Sequence, residues 1–143
     1  MPHDPTNLRD RTKTYALRVI KLYQALPKNG EAQVIGKQIL RSGTSVGAQY
    51  REACPAKSPA DFISKMEGSL QELDETGYWL ELLVESGIIP ANQLVDLQKE
   101  NNELTAIFVA SVKTANKTGK LDDVCIPIHH PSFLILTSGK QCP

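Results

Sequence analysis

The sequence predicts an all-α protein: an antiparallel up-and-down four-helix bundle followed by an irregular C-terminal tail. Three observations lead to this fold class. Apolar residues recur every three or four positions through four segments. Proline and glycine interrupt the pattern between these segments. No stretch alternates apolar and polar residues as a half-buried strand does. Four amphipathic helices joined by short turns bury their apolar stripes against one another in a bundle.

Length and composition fit one soluble globular domain. The chain has 143 residues, of which 41% are hydrophobic and 22% charged, as is usual for such proteins. We expect the bundle in residues 1–119 and the tail in residues 120–143. No apolar run reaches the roughly 20 residues of a membrane span, and the first ten residues lack the apolar stretch of a signal peptide. A cytoplasmic protein with no membrane partner is therefore expected.

The first helix is expected from about Leu8 to Leu26, where Pro27 and the turn after it end the pattern. One face is apolar at about 100° per residue. The remaining surface carries five cations: Arg9, Arg11, Lys13, Arg18 and Lys21. Leu17 and Ile20 also lie on this outer surface, where a monomer has little use for them.

The second helix is expected from about Glu31 to Cys54, because Pro55 cannot continue it. Part of it is crowded with small and polar residues, as a phosphate-binding loop is. A loop of the GxxxxGK[ST] type is nevertheless excluded. Gly43 and Gly47 are not followed by Lys-Ser or Lys-Thr, and no strand precedes them.

As a helix, the same segment divides into an apolar strip, a strip of small residues and a polar strip. Glycine inside a helix costs about 0.5–1 kcal/mol relative to alanine, so the glycines predict close approach of another helix. The small strip contains Gly36, Gly43, Gly47 and Cys54, and the polar strip contains Arg41, Ser42, Ser45, Gln49 and Glu52. Two interpretations of the polar strip remain open, a seam within or between subunits and an ordinary solvated face.

The third helix is expected to begin after Ser58, a good N-cap, with Pro59 at its first position, and to end before Gly87. The fourth is expected over about residues 90–116. Apolar residues in both helices repeat at spacings of three and four, which predicts a bundle seam. Asn101 is a polar residue within the seam of the fourth helix, where it is expected to fix the register of packing.

No metal or other cofactor is expected. Cys54, Cys125 and Cys142 are scattered without zinc-site spacing. His129 and His130 are adjacent, so they point apart, and no further ligand lies at a recognised spacing. Their tail contains several prolines and an apolar run at residues 132–136, and it either docks by this run or stays loosely ordered.

Catalytic residues are not expected either. A serine nucleophile needs a base within reach, and all three histidines lie in the tails. Glu67, Asp74, Glu81 and Glu85 align along the third helix. Nothing apolar surrounds them to separate their pKa values into an acid and a base. We interpret them as a stripe of solvated or salt-bridging acids.

The net charge of zero conceals an asymmetry. Residues 1–60 carry ten Lys/Arg and four Asp/Glu, whereas the remainder carries six and twelve. The division suggests a basic surface for an anionic partner, complementary surfaces on two copies, or pairing of the halves inside one monomer. Trp79, Leu82 and Leu83 lie off the main seam of the third helix. Together with Leu17 and Ile20 they predict an oligomer.

Four motifs, in order, carry a resemblance to a known family. They are QILRSGTSVGAQYREA at residues 38–53, SPADF at 58–62, EGSLQELDET at 67–76 and SGII at 86–89. Over about residues 8–117 the chain resembles the four-helix-bundle proteins encoded in 23S rRNA intervening sequences. The resemblance extends to the accessory variability determinant of diversity-generating retroelements. The family's signature falls on Arg41, Ser42, Ser45, Glu52, Gly68, Ser69 and Glu72, and Gln49 stands where the family commonly has Asn.

The resemblance implies a bundle that assembles into a ring, typically a pentamer, and it implies association with RNA or DNA. It also implies that the retroelement relative binds a reverse transcriptase and nucleic acid through a basic surface. Our leading hypothesis is a non-enzymatic oligomeric scaffold that binds RNA through the five cations of the first helix. Two alternatives remain, an accessory protein that docks a reverse transcriptase and a self-assembling ring in which the basic half meets the acidic stripe of the next subunit.

Overall fold

The computed structural model describes residues 7–119, which form four helices joined by short turns. The helices are α1 (Leu8–Ala25), α2 (Gly30–Ala53), α3 (Pro59–Glu85) and α4 (Ala91–Thr118). No strand occurs in this part of the chain. The predicted all-α four-helix bundle is confirmed, whereas the predicted tail lies outside the described residues.

The helices pack in chain order around one core. Thr12 lies beside Gly47 and Tyr23 beside Gly36, so α1 and α2 run in opposite directions. The α2–α3 contact is the most extensive in the bundle, and the α1–α4 contact is the narrowest. Within residues 7–119 the backbones of α1 and α3 make no contact. These two helices therefore occupy diagonal corners.

Local chemistry sets the helix boundaries close to where the sequence predicts them. Asn29 and Ser58 cap α2 and α3 through side-chain oxygens that accept backbone N–H groups. The Asn29 cap moves the start of α2 to Gly30, one residue earlier than predicted. At the other end of the chain, α4 continues past residue 116 to Thr118. It stops there because Gly119 adopts the left-handed conformation, with φ of 62°.

The core draws apolar side chains from all four helices. The rings of Tyr50 on α2 and Phe108 on α4 stack with centroids 5.7 Å apart. The largest fully buried apolar side chains are Tyr15, Phe62, Phe108, Ile39, Met66, Leu73, Leu80, Leu83 and Leu104.

The assignment of Leu83 to an intersubunit surface is wrong, because its side chain is fully buried in this core. Leu83 follows Thr76 by two helical turns and Leu80 by one, and both of those residues are also fully buried. It therefore belongs to the core-facing side of α3. The neighbouring Leu82 is only half-buried.

The strip of small residues on α2 faces α1. A Cβ atom on Gly43 would lie 2.7 Å from Cγ2 of Val19, and one on Gly36 would lie 2.6 Å from Cδ1 of Leu26. Such distances are too short for two carbon atoms, so only glycine lets the helices approach this closely. The predicted close approach is confirmed, and the neighbouring helix is α1.

A buried polar network crosses the middle of the bundle. The Tyr15 hydroxyl donates a hydrogen bond of 2.5 Å to Oδ1 of Asn101, linking α1 to α4. The hydroxyls of Ser42 and Thr76, 2.7 Å apart, link α2 to α3, and Thr76 lies close enough to the Tyr15 hydroxyl to affect its pKa. A shift of α1 against α4 would separate the Tyr15 hydroxyl from Oδ1 of Asn101, and a buried polar group without its partner costs about 1–3 kcal/mol.

The Tyr15→Phe variant tests this network through its pH dependence. Burial raises the pKa of the Tyr15 hydroxyl, and the nearby Thr76 hydroxyl opposes the rise. Above about pH 10 the unfolded state therefore loses a proton that the folded state keeps. Stability falls there by up to about 1.4 kcal/mol per pH unit. Tyr15→Phe removes this contribution, so its free energy of unfolding should decline less steeply above pH 10.

At neutral pH the same variant should lose about 1–3 kcal/mol, because Oδ1 of Asn101 is left without its donor. Urea unfolding at a series of pH values measures both effects. Tyr78→Phe is the matched control, since Tyr78 is 54% exposed. Equal slopes for Tyr15→Phe and the parent protein above pH 10 would contradict the assignment.

Candidate functional site

The polar strip of α2 lies against α3 of the same chain. Nη1 of Arg41 lies 3.3 Å from Oε2 of Glu72, and Nη2 pairs with Oε1 of Glu75. The indole N–H of Trp79 donates to the same Glu75 oxygen at 3.1 Å. The Arg41 guanidinium, helped by the Trp79 indole, lowers the pKa of Glu75. The Glu75 carboxylate in turn raises the pKa of Arg41.

The rest of the polar strip is also occupied by partners. Oγ of Ser45 donates to the carbonyl of Arg41 in its own helix at 2.7 Å. Nε2 of Gln49 lies 3.4 Å from Oε1 of Glu72. Glu52 pairs with Lys65 at 3.1 Å. Ser42, the buried member of the strip, belongs to the central network. These contacts lie between α2 and α3 of one chain, and the side chains of Arg41 and Glu52 also remain exposed to solvent.

The family-signature residues on α3, which are Gly68, Ser69 and Glu72, also take part in this seam. Oγ of Ser69 donates to the carbonyl of Val46 on α2 at 3.1 Å. Gly68 faces the amide of Gln49, which occupies the space that a Cβ atom would need. The Glu72 carboxylate accepts hydrogen bonds from both Gln49 and Arg41. Residues that identify the family thus hold α2 against α3, and the hydroxyls of Ser42, Ser45 and Ser69 donate to backbone carbonyls.

Arg11 is engaged inside the bundle. Its Nε and Nη2 donate to the two carboxylate oxygens of Glu100 at 2.7 and 2.9 Å, and Nη2 also reaches Oε2 of Glu103 at 2.6 Å. The hydrogen bond to Glu100 raises the pKa of Arg11. These hydrogen bonds link α1 to α4, the two helices with the narrowest contact in the bundle. Arg11 was predicted to bind nucleic acid, but its donors already bind these carboxylates.

The other four cations of α1 are Arg9, Lys13, Arg18 and Lys21. None of them forms an ion pair with another residue of the described range. They are spread around the outward side of the helix, since successive residues are about 100° apart. Arg9 and Arg18 lie on opposite flanks, and Lys13 and Lys21 lie between them. Arg18 and Lys21 also border a groove between α1 and α4.

Charge is segregated between diagonal helices. α1 carries five basic residues and one acid, whereas α3 carries seven acids and one lysine. The two halves of the chain pair inside the subunit at Arg11, Arg41 and Lys65. The exposed charges of α1 and α3 face away from each other, because the two helices do not touch. Pairing within the subunit therefore accounts for part of the charge asymmetry only.

Four of the five predicted interface residues retain exposed surface. Leu17 is 52% exposed, and Ile20, Trp79 and Leu82 are half-buried. Tyr78, which the sequence analysis did not identify, is 54% exposed and packs against the Trp79 ring with centroids 5.0 Å apart. The sequence could have indicated that Tyr78 is exposed, because it lies one turn before Leu82 and between the acidic residues of the third helix.

Other classes of site are not seen between residues 7 and 119. No group of three His, Cys, Asp or Glu side chains is placed to hold a metal ion there. None of the four helices has both the length and the apolar character needed to cross a bilayer. Cys54 is half-buried and forms no disulfide in this range. His129, His130, Cys125 and Cys142 lie outside the described residues.

Comparisons with known proteins agree with the fold. A family model described as 23S rRNA-intervening sequence protein matches residues 7–110. A solved structure from Bacteroides thetaiotaomicron VPI-5482, described as a protein of unknown function from the S23 ribosomal protein family, is similar with a TM-score of 0.70. It is 40% identical, and the match covers 74% of this chain and 98% of that chain. No match was found among curated proteins.

The ion-pair geometry predicts that Arg11 acts chiefly in stability. Arg11→Ala should lower the free energy of unfolding by about 1–3 kcal/mol, because Glu100 loses two charge-assisted hydrogen bonds. Arg11→Lys should recover only part of the loss, since an ammonium cannot reproduce the bidentate fork. Urea unfolding measures these values.

Lys13→Ala is the matched control, because this neighbouring cation is exposed and forms no ion pair with a described residue. Its effect should stay within about 0.5 kcal/mol. If Arg11→Ala were as mild as Lys13→Ala, the fork to Glu100 would not contribute to stability.

Proposed function

The chain belongs to the 23S rRNA-intervening sequence protein family, and from that premise we propose that it is a non-enzymatic, self-associating scaffold that binds RNA through the unpaired cations of α1. The proposal places it in the cytoplasm, where it meets RNA. The family description supplies the connection to rRNA, and the charge distribution of the bundle supplies the binding surface.

The observation that carries the proposal is the set of four cations on α1 that form no ion pair with a described residue. Arg9 and Lys21 are separated by 12 residues, which is about 18 Å along a helix. Lysine and arginine side chains spread over this length suit a phosphate backbone, because each contact releases a condensed counterion. Little aromatic surface accompanies these cations. We therefore expect the protein to respond to the shape and charge of structured RNA and not to read its bases.

The absence of enzymatic activity is proposed from the chemistry of the seam between α2 and α3. Ser42 and Ser45 donate to backbone carbonyls, and the nearby Glu72 and Glu75 are paired with Arg41. Residues 7–119 contain no histidine that could act as a base. The polar groups of the seam are engaged in hydrogen bonds and ion pairs within or between α2 and α3, which leaves little for general acid–base catalysis.

Self-association is proposed from the apolar surface that remains on the outside of the bundle. Leu17 on α1 and Tyr78 on α3 are each more than half exposed. Large apolar side chains in such positions are typical of protein interfaces.

Charge reversal of Arg18 and Lys21 to Glu tests the RNA-binding surface. At about 100 mM salt we expect the apparent Kd for a fluorescent RNA hairpin to weaken about tenfold or more. The slope of log K against log salt should become shallower by about 2, since two phosphate contacts are lost. Fluorescence anisotropy over a salt series measures both quantities.

Lys113→Glu together with Lys117→Glu is the matched control, because it changes the net charge by the same amount on exposed positions of α4. This control should weaken binding by less than about threefold. Equal losses in the two variants would mean that only net charge matters, and the assignment to α1 would be wrong. Arg11 is unsuitable for this test, because its replacement breaks the contact with Glu100.

A further inference from the structure

The outer face of α3 presents an aromatic residue between two acids. Tyr78 is 54% exposed, and its ring is supported from the side by Trp79. Asp74 lies one turn before Tyr78 and Glu81 one turn after it, and both are exposed. Neither carboxylate forms an ion pair with a described residue. A rigid aromatic ring flanked by unpaired carboxylates suits a cationic partner that also carries apolar surface.

The outer face of α1 presents the complementary pattern. Leu17 is 52% exposed, and Lys13 and Lys21 lie four residues before and after it on the same face. Both lysines are exposed and form no ion pair within the described range. Asp10 is the single acid of α1, and it already has an interaction of its own.

The two patterns also agree in length. Lys13 and Lys21 are eight residues apart, which is about 12 Å along a helix. Asp74 and Glu81 are seven residues apart, which is about 10 Å. Two helices packed side by side at the usual separation of about 8–10 Å would place the apolar residues in contact, with a lysine opposite a carboxylate at each end.

We propose that Asp74, Tyr78 and Glu81 on α3 form a docking surface for Lys13, Leu17 and Lys21 on α1 of a second copy of this chain. The charge of the two helices selects this occupant, since α3 is the most acidic helix and α1 the most basic. A single chain cannot make the contact, because its own α1 and α3 lie at diagonal corners and do not touch.

The contact joins two different surfaces, so each added subunit keeps one free α1 and one free α3. Such heterologous association continues until a ring closes or a filament forms. The inference deepens the self-association in the proposed function and rests on it, because it names the surfaces that meet. It also has a consequence for RNA. Lys13 and Lys21 can serve the neighbouring subunit or a phosphate backbone, but not both at once.

A charge-swap experiment on the full chain tests this pairing. One variant carries Lys13→Glu and Lys21→Glu, and a second carries Asp74→Lys and Glu81→Lys. In each, like charges would face each other across the interface, and we expect the apparent Kd of self-association to rise at least tenfold. Mixing the two variants should restore association, because each then offers the charge that the other needs. The chain with all four substitutions should also associate.

Light scattering over a concentration series measures the mass of each sample. Circular dichroism shows whether the fold is kept, which we expect because all four positions are exposed. Lys113→Glu with Lys117→Glu on α4 is the matched control and should associate like the parent protein. If the two pair variants associated like the parent, or if they stayed apart both when mixed and when combined in one chain, the pairing of α1 with α3 would be wrong.

These outcomes are separate from those of the RNA experiment. If the parent chain associates and the charge swaps have no effect, the proposed self-association stands and the pairing falls. If the parent chain remains a monomer, the self-association and the pairing both fail. An RNA titration with Arg18→Glu alone, which lies outside the proposed contact, answers independently whether α1 binds phosphates. The variant with Asp74→Lys and Glu81→Lys should bind RNA at least as tightly as the parent, since its α1 lysines are released.

Discussion

The hydrogen bond between Ser42 and Thr76 fixes how α2 lies against α3, and much of the structure depends on this register. It is buried, and a shifted alignment would lose this contact between the two helices, although each hydroxyl also bonds a carbonyl of its own helix. In the observed register Arg41 reaches Glu75 outside the core. Thr76 lies next to Tyr15, whose hydrogen bond to Asn101 links α1 to α4. The core and the outer seam of α2 and α3 thus share one alignment.

The same register determines which charges remain available for partners. In this register Arg41 forms an ion pair with Glu75 of α3, and because α1 lies beside α4, Arg11 forms an ion pair with Glu100. These arginines become part of the scaffold, while the lysines of α1 and the outer acids of α3 are left exposed. In the proposed function RNA and a second subunit draw on the same α1 lysines. Each would therefore weaken the binding of the other by the same factor.

Much of the fold could be predicted because its signals are local. Prolines, N-caps and the glycine after α4 act on neighbouring residues, so the helix boundaries were within a few residues of those observed. The glycines of α2 predicted close packing against another helix, because glycine inside a helix lowers stability relative to alanine unless close packing offsets the loss. Leu83 was misjudged because α3 buries a broad face, and a single seam of alternating spacings does not describe its full width.

The sequence by itself determined the number of helices, their apolar faces and the family to which the chain belongs, because these follow from spacings and motifs along one segment. Only the tertiary structure decided which charges are used and which are free. Arg11 and Lys13 are both cations on the first helix, yet one is held by Glu100, which is 89 residues away, and the other points outward. Ion pairing depends on distance in space, and that distance is set by the packing of helices far apart in the chain.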